Sequence, residues 1–274
     1  GRGLTVHLVE REAHLGGRLS RIHRLCPTDE EAAGFIEPVI REVEGHGQIT
    51  LHMPAIIKEV SGYIGNFTVV VNPEPTNPES TNLRTFDVGT IIVATGADVL
   101  QPFGLYGYGH LPNVLTQLEL EQVTNLRIYE STNLPTNVVM INCVGARIPE
   151  RPYCSRVCCM TSPKNATLLR ERNPEAHVYV LHRDLLTYGV EFERYYRRAM
   201  EAGVRFLRYE LEHPLQVVGD GRAEAVLVWD VLRGQELRLS ADMVVLTTPL
   251  IPGSVSTTFR STVGGSWISM GRPS

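Results

Sequence analysis

Residues 137–159 read NVVMINCVGARIPERPYCSRVCC, and this stretch decides the fold that we expect. The run from Asn137 to Cys143 is apolar and β-branched over the length of a strand, and Gly145 follows as a turn residue. Beyond Ser155 the pattern becomes helical, most clearly after Pro163. Because ligands of open α/β sheets bind outside the carboxyl ends of strands, where the next helix begins, the stretch predicts a binding site at that edge.

Cysteines are the chemically distinctive residues of this stretch. Four of the five in the chain lie here, and Cys26 stands alone. Four thiolates are the ligand set of an iron-sulfur cluster, whereas structural zinc sites usually present two C-x2-4-C knuckles. The spacing favours a cluster, but zinc, a redox dithiol and inert buried thiols stay open as alternatives. The candidate metal ligands are Cys143, Cys154, Cys158 and Cys159.

Strand and helix patterns alternate along the rest of the chain, which predicts an α/β fold. Capping-box patterns at Thr28–Glu31 and Thr116–Glu119 predict helix starts, and Pro38 is expected to split the first helix. A further helix is expected over 191–202, and residues 72–85 are expected to form a solvated loop. Strands are expected at 5–9, 67–71, 90–95, 138–142, 178–181 and 204–207, with an antiparallel meander at 215–218, 225–231 and 236–240.

Two segments have the pattern of a dinucleotide-binding site. The strand LTVHLVE ends in Glu10, where an acidic residue can accept ribose hydroxyls, and a loop containing Gly16, Gly17 and Arg18 follows. Glycines allow close approach of the backbone to phosphate, and the guanidinium adds a donor. The apolar run TIIVATG, which ends in Thr95 and Gly96, is typical of flavoproteins with two dinucleotide-binding domains.

Composition and charge exclude several classes of protein. The 274 residues are 43% hydrophobic and 20% charged, and 26 basic against 30 acidic side chains give a formal net charge of -4. This is an ordinary globular composition, without the basic patch of a nucleic-acid or anionic-membrane partner. The sequence contains neither an apolar run long enough for a membrane span nor a signal peptide, so we expect a cytoplasmic protein. Because a strand pattern is already running at Leu4, the chain is expected to be a fragment.

Four segments resemble the A-type flavoprotein subunits of heterodisulfide reductases and their relatives in anaerobes. They are VEREAHLGGRLS, IIVATGADVLQPFGLYGYGHLPNVLTQLELE, CVGARIPERPYCSRVCCMTSPKNA and RRAMEAGVRFLR. The resemblance implies a thioredoxin-reductase-like fold with two Rossmann-type domains, incomplete at both ends. It implies that the four cysteines of 143–159 hold a [4Fe-4S] cluster, and that Lys164 lies near the flavin ring. The FAD contacts that it implies are Glu10, Arg11, Gly16, Gly17, Arg18, Thr95 and Gly96.

The resemblance also implies a domain division and a set of partners. It predicts a partial FAD-binding domain over 1–134 and a second Rossmann-like domain with the cysteines and the meander over 135–248. The end of the chain loses its periodicity and becomes rich in Ser, Thr and Gly, which predicts a poorly ordered tail over 249–274. The implied partners are heterodisulfide reductase B/C-like subunits and hydrogenase-like or dehydrogenase-like electron donors, with a homodimer of the full-length subunit. FAD in this family can bifurcate electron pairs.

Some features depart from the family pattern. The first strand and its G-x-G-x-x-G turn are absent, Pro249 replaces an expected glycine, and residues 72–85 contain no cysteine of a ferredoxin-like insert. FAD affinity of the chain alone is therefore expected to be poor. Two alternatives stay open: a stand-alone thiol-disulfide or NAD(P)H oxidoreductase, and a zinc-stabilised fragment without catalytic activity.

Overall fold

A computed structural model of the chain describes residues 3–125 and 135–253. These residues form two compact units: one comprises 3–20, 33–98 and 252–253, and the other comprises 21–32, 99–125 and 135–251. The predicted boundaries after residues 134 and 248 divide the chain by the cofactor that each part is expected to bind, whereas these two units are defined by their internal contacts. The predicted boundaries therefore stay predictions. Most of the predicted tail, 254–274, lies outside the described residues.

The helices and strands of both units are numbered here in chain order. The helices are α1 (Ala32–Gly45), α2 (Gln117–Asn125), α3 (Cys158–Arg172) and α4 (Val190–Glu201), with a 3-10 turn at Leu19–Arg21. The strands are β1 (Val6–Val9), β2 (Ile49–His52), β3 (Ile56–Tyr63), β4 (Asn66–Asn72), β5 (Arg84–Val88), β6 (Ala97–Val99), β7 (Val114–Thr116), β8 (Asn137–Ile141), β9 (His177–His182), β10 (Arg205–Arg208), β11 (Gln216–Val218), β12 (Ala225–Asp230), β13 (Gln235–Ser240), β14 (Met243–Leu246) and β15 (Leu250–Pro252).

A five-stranded parallel sheet organises the second unit, in the order β10-β9-β8-β14-β7. From β8 the chain continues to β9 and β10 on one side, whereas β14 and β7 lie on the other. The order therefore reverses between β8 and β14, where open α/β sheets bind their ligands. At this point Thr247 N donates to Ile141 O at 2.8 Å, and Val144 N donates to Thr247 O at 3.2 Å.

The apolar composition of β8 follows from burial on both of its faces. Val139 and Ile141 pack with residues of the meander such as Val226, and Val138 and Met140 pack with residues of α3 and α4. A strand covered on both sides reads as a continuous apolar run rather than an alternating one, as NVVMI does. The predicted meander is confirmed, because β11, β12 and β13 pair in that order and antiparallel.

The first unit combines a parallel pair, β1 and β2, with an antiparallel sheet in the order β3-β4-β5. The predicted loop over 72–85 connects β4 to β5. Asn72 organises its start, because its Nδ2 donates to Asn77 O at 2.9 Å and its Oδ1 accepts from Glu74 N at 2.8 Å. This side-chain capping explains how a segment so rich in Asn and Pro forms a defined turn.

Three local predictions were wrong. Residues 90–95 are not a strand, because no other described strand forms a ladder with them, and Ile92 is 86% exposed. Pro38 lies inside an uninterrupted α1. It is exposed, and it faces the carbonyl of the exposed Gly34 one turn earlier, so the unpaired carbonyl reaches solvent. The helix also begins at Ala32, and not directly after Thr28.

The second capping box is confirmed. Thr116 Oγ1 accepts from Glu119 N at 3.3 Å, while Thr116 N donates to Glu119 Oε2 at 2.7 Å, at the start of α2. At the other predicted box, Thr28 Oγ1 contacts Glu30 instead. The motif forms where the Thr is held at the end of a buried strand, here β7, and fails in the exposed loop.

This difference gives a matched pair of variants. We expect Thr116→Val, which keeps the shape but removes the capping oxygen, to lower the free energy of unfolding by about 1–2 kcal/mol. The same change at Thr28 should stay within about 0.5 kcal/mol. Urea denaturation followed by circular dichroism measures both, and equal effects of the two variants would contradict the assignment of the cap.

Candidate functional site

The carboxyl edge of the parallel sheet carries the cysteines. Cys143 follows β8 by two residues, and Cys158 and Cys159 are the first residues of α3. These three thiols are buried, whereas Cys154, in the intervening loop, is half-buried. The paired cysteines thus lie at the N-terminus of α3, where the helix dipole has its positive end.

Three of the four thiols have contacts that hold them at this edge. Cys158 Sγ donates to Thr248 O, just beyond β14, at 3.6 Å, and Cys159 Sγ donates to Asp184 O, beyond β9, at 3.7 Å. Cys154 Sγ accepts from the backbone N of Arg156 at 3.3 Å. The loops after β8, β9 and β14 thus meet at the start of α3.

Burial governs the acidity of the three inner thiols. It raises the pKa of Cys158 to about 12 and that of Cys159 to about 11, and it raises the pKa of Cys143 as well. The thiolates of the four cysteines also repel one another, which raises these pKa values further. The thiols of Cys143, Cys158 and Cys159 are therefore protonated at neutral pH, and a cation that neutralises their thiolates would reverse this preference.

The loop between the cysteines has a constrained backbone. Cys143, Arg147 and Arg156 adopt positive φ angles of 63°, 56° and 65°. Non-glycine residues take this conformation at a cost, and such positions cluster at functional sites. Arginine side chains tie the loop down: Arg147 Nη1 pairs with Asp184 Oδ2 at 2.6 Å, and Arg151 Nε donates to Gly145 O at 2.5 Å.

The donor set fits a cluster by its chemistry. The four thiols act on each other electrostatically, and soft sulfur ligands select iron-sulfur, zinc or copper(I). Across 3–125 and 135–253, however, no three His, Cys, Asp or Glu side chains stand close enough to hold a single metal ion. The cysteines thus share one edge of the sheet without forming a closed set of ligands around one ion.

Lys164 lies in α3, and it is not an exposed helix lysine. The side chains of Lys164 and Glu121 are 6% and 3% exposed, and their charged groups pair at 2.8 Å. Lys164 Nζ also donates to Arg24 O at 2.8 Å, and Glu121 Oε2 accepts from His23 N at 3.0 Å. The buried pair thus ties segment 21–32 to α2 and α3. Sequence reasoning missed Glu121, whose only signal is a carboxylate on the apolar side of α2.

The two predicted flavin segments meet within the first unit. Arg18 Nη2 donates to Ala97 O, directly after Gly96, at 2.5 Å. Glu10 follows β1, and one of its carboxylate oxygens accepts from Glu12 N at 2.9 Å. Gly16 and Gly17 have positive φ angles of 108° and 51°, so the loop uses backbone conformations that glycine adopts readily. Arg11, Gly17, Thr95 and Gly96 are exposed.

Known proteins are similar in sequence to most of this chain. An A-type iron-sulfur subunit of the CoB--CoM heterodisulfide reductase of Methanopyrus kandleri is 30% identical over 344 aligned positions, which cover 91% of this chain and 50% of that protein. The corresponding subunit of Methanocaldococcus jannaschii is 29% identical over 92% of this chain and 51% of its own length. The chain is homologous to the A-type subunits of heterodisulfide reductases. It spans about half the length of these relatives.

Solved structures show the same fold. Thioredoxin reductase of Lactococcus lactis superposes with a TM-score of 0.57 at 14% identity, over 92% of this chain and 71% of that one. Thioredoxin reductase of T. acidophilum gives a TM-score of 0.56 at 12% identity, over 93% and 71%. The predicted thioredoxin-reductase-like α/β fold is confirmed. No protein-family model matches the chain.

The buried pair of Lys164 and Glu121 provides a test of the site's electrostatics. Lys164→Met leaves a buried carboxylate without its cation and should lower the free energy of unfolding by about 3–5 kcal/mol. Adding Glu121→Gln removes the uncompensated charge and should recover a large part of that loss. Arg194→Met, which breaks the exposed pair with Glu191, should cost less than about 1 kcal/mol. Urea denaturation measures all three variants. If Lys164→Met is as stable as Arg194→Met, or more stable, this account is contradicted.

Proposed function

We propose that the chain is an electron-transfer flavoprotein subunit that binds FAD and one [4Fe-4S] cluster. The observation that carries the proposal is the position of Cys143, Cys154, Cys158 and Cys159 at the point where the strand order of the parallel sheet reverses. An iron-sulfur cluster bound there would exchange single electrons, and the cysteines would hold it at the start of α3. The relatives with "iron-sulfur subunit" in their names support this proposal.

FAD binding is proposed for the first unit. Glu10 would accept the ribose hydroxyls, the backbone of Gly16 and Gly17 would approach the pyrophosphate, and Arg18 would add a donor. Arg11, Thr95 and Gly96 complete the proposed contacts, and Lys164 stays a predicted flavin contact. The bond between Arg18 and Ala97 O supports the set, because it joins the two segments that the sequence separates by 79 positions.

The acidity of the thiols counts against a stand-alone dithiol oxidoreductase. A nucleophilic cysteine is exposed and has a lowered pKa. Here burial raises the pKa of Cys158 and Cys159 to about 12 and about 11. The buried, protonated thiols of Cys158 and Cys159 suit ligands that become thiolates only when iron neutralises them. The zinc-stabilised fragment stays an alternative, since zinc accepts the same donors.

The reaction and the partners that we propose are based on the similar proteins named above. We propose an oxidoreductase subunit that acts on disulfide or other sulfur groups within a complex. Its partners would be B/C-like subunits and hydrogenase-like or dehydrogenase-like electron donors, and the full-length subunit would be a homodimer. A relative from Methanosarcina acetivorans is named for ferredoxin and F420H2 dependence.

Loop 72–85 contains no cysteine, so electron bifurcation would need a route for low-potential electrons elsewhere. We also propose a cytoplasmic location. No described helix is long and apolar enough to cross a membrane.

Cysteine variants test the proposed cluster. After anaerobic reconstitution, Cys154→Ser should lose most of the iron and acid-labile sulfide that the parent binds, because serine is a harder and weaker donor. Cys26→Ser should keep both, since Cys26 lies outside the proposed ligand set. Metal analysis and electron paramagnetic resonance of the reduced proteins provide the readout. Iron retained in full by the Cys154 variant, or zinc in the parent, would contradict the proposal.

Two carboxylates of one loop test the proposed FAD site. Glu10→Gln should weaken FAD binding by roughly ten- to one-hundredfold, the value of a hydrogen bond to a charged group. Glu12→Gln, which changes an exposed carboxylate paired with Arg11, should bind FAD as the parent does. Quenching of flavin fluorescence on titration measures both affinities, and equal affinities of the two variants would contradict the role of Glu10.

A further inference from the structure

Asn142 is a buried polar residue without a partner. Its relative exposure is 0%, yet neither Nδ2 nor Oδ1 has a hydrogen-bond partner among the described residues. Buried side-chain amides are almost always paired, because an unpaired one forfeits its bonds to water. Each such group needs an explanation, and a bound group absent from the structure is one of them.

The backbone of Asn142 is held firmly, so its side chain cannot easily turn away. Asn142 N donates to Leu181 O at 2.9 Å, which extends the pairing of β8 and β9 by one residue. Tyr209 Oη donates to Asn142 O at 2.7 Å. The next residue is Cys143, so the unpaired amide belongs to the carboxyl edge of β8.

Strand alternation assigns the side chain to one face of the sheet. Val138 and Met140 pack with Ala166 and Leu169 of α3, and Asn142 continues this even-numbered set. The amide therefore lies on the face covered by α3, the helix that begins with Cys158 and Cys159. The start of α3 borders this face at its carboxyl edge, and Cys143 is the next residue along the chain.

A second unpaired group lies across the same edge. Thr248 Oγ1 is buried and without a partner among the described residues, and the carbonyl of Thr248 accepts the Cys158 thiol at 3.6 Å. The preceding Thr247 makes a contrast, because its Oγ1 accepts from Gln117 Nε2 at 3.0 Å. The hydroxyl of Thr247 is thus hydrogen-bonded, whereas the side chains of Asn142 and Thr248, beside the cysteines, have no partner among the described residues.

We propose that Asn142 Nδ2 and Thr248 Oγ1 are hydrogen-bond donors to sulfur atoms of the group that the four cysteines hold. The inference rests on the proposed function, since that group is the [4Fe-4S] cluster. Hydrogen bonds to cluster sulfurs stabilise the reduced, more negative state and raise the reduction potential. The two residues thus tune the potential of the cluster without being its ligands.

The test compares three variants in cluster-free and reconstituted form. Asn142→Leu and Thr248→Val remove a group that has no protein partner, so the cluster-free variants should melt at or above the temperature of the parent. After reconstitution both should keep iron close to the parent content and show a lower midpoint potential. Thr247→Val is the matched control: it should melt below the parent, because Gln117 loses its acceptor, and should leave the potential unchanged.

The outcomes separate this inference from the proposed function. A parent that takes up no iron and sulfide overturns the proposed function and with it this role. A parent with a cluster whose potential is unmoved by Asn142→Leu and by Thr248→Val overturns the inference alone. If either cluster-free variant melts well below the parent, a buried water satisfies that group, and its assignment as a cluster donor is overturned. Thr248→Val keeps the test decisive if Asn142→Leu does not fold.

Discussion

The pairing of β8 with β14 at their carboxyl ends is the constraint on which the candidate site depends. Thr247 N bonds to Ile141 O, and Val144 N bonds back to Thr247 O. These two bonds bring the residues after both strands together, so that Cys143 and the carbonyl that accepts the Cys158 thiol share one edge. In open α/β sheets, ligands bind at the place where the strand order reverses in this way.

The apolar body of the sheet sustains a polar edge that would be unstable by itself. Both faces of β8 are covered, and this burial supplies the stabilisation that offsets two kinds of cost at the edge: left-handed backbone at Cys143 and Arg156, and the unpaired amide of Asn142. A bound cluster would relieve the second cost, because its sulfur atoms accept hydrogen bonds. These strained and unpaired residues are themselves predicted ligands or their neighbours in the sequence.

Local sequence patterns predicted correctly those helices and strands whose packing environment is also specified by the local sequence. The run NVVMI forms a strand because both of its faces are buried, and the box at Thr116 forms because β7 holds its threonine. The box at Thr28 and the strand at 90–95 failed for the opposite reason, since they depend on neighbours that the local pattern does not specify. The partnership of Lys164 with Glu121, 43 positions apart, and the isolation of Asn142 arise only from tertiary packing.

The central claim is that the four cysteines at this edge bind one cubane cluster. Mössbauer spectroscopy of the parent chain, reconstituted anaerobically with iron-57 and sulfide, tests it most directly. The account predicts about four irons per chain, in the spectrum of a diamagnetic [4Fe-4S] cluster that becomes paramagnetic on reduction by one electron. A spectrum of mononuclear iron, or a protein that rejects iron and retains zinc, would contradict it.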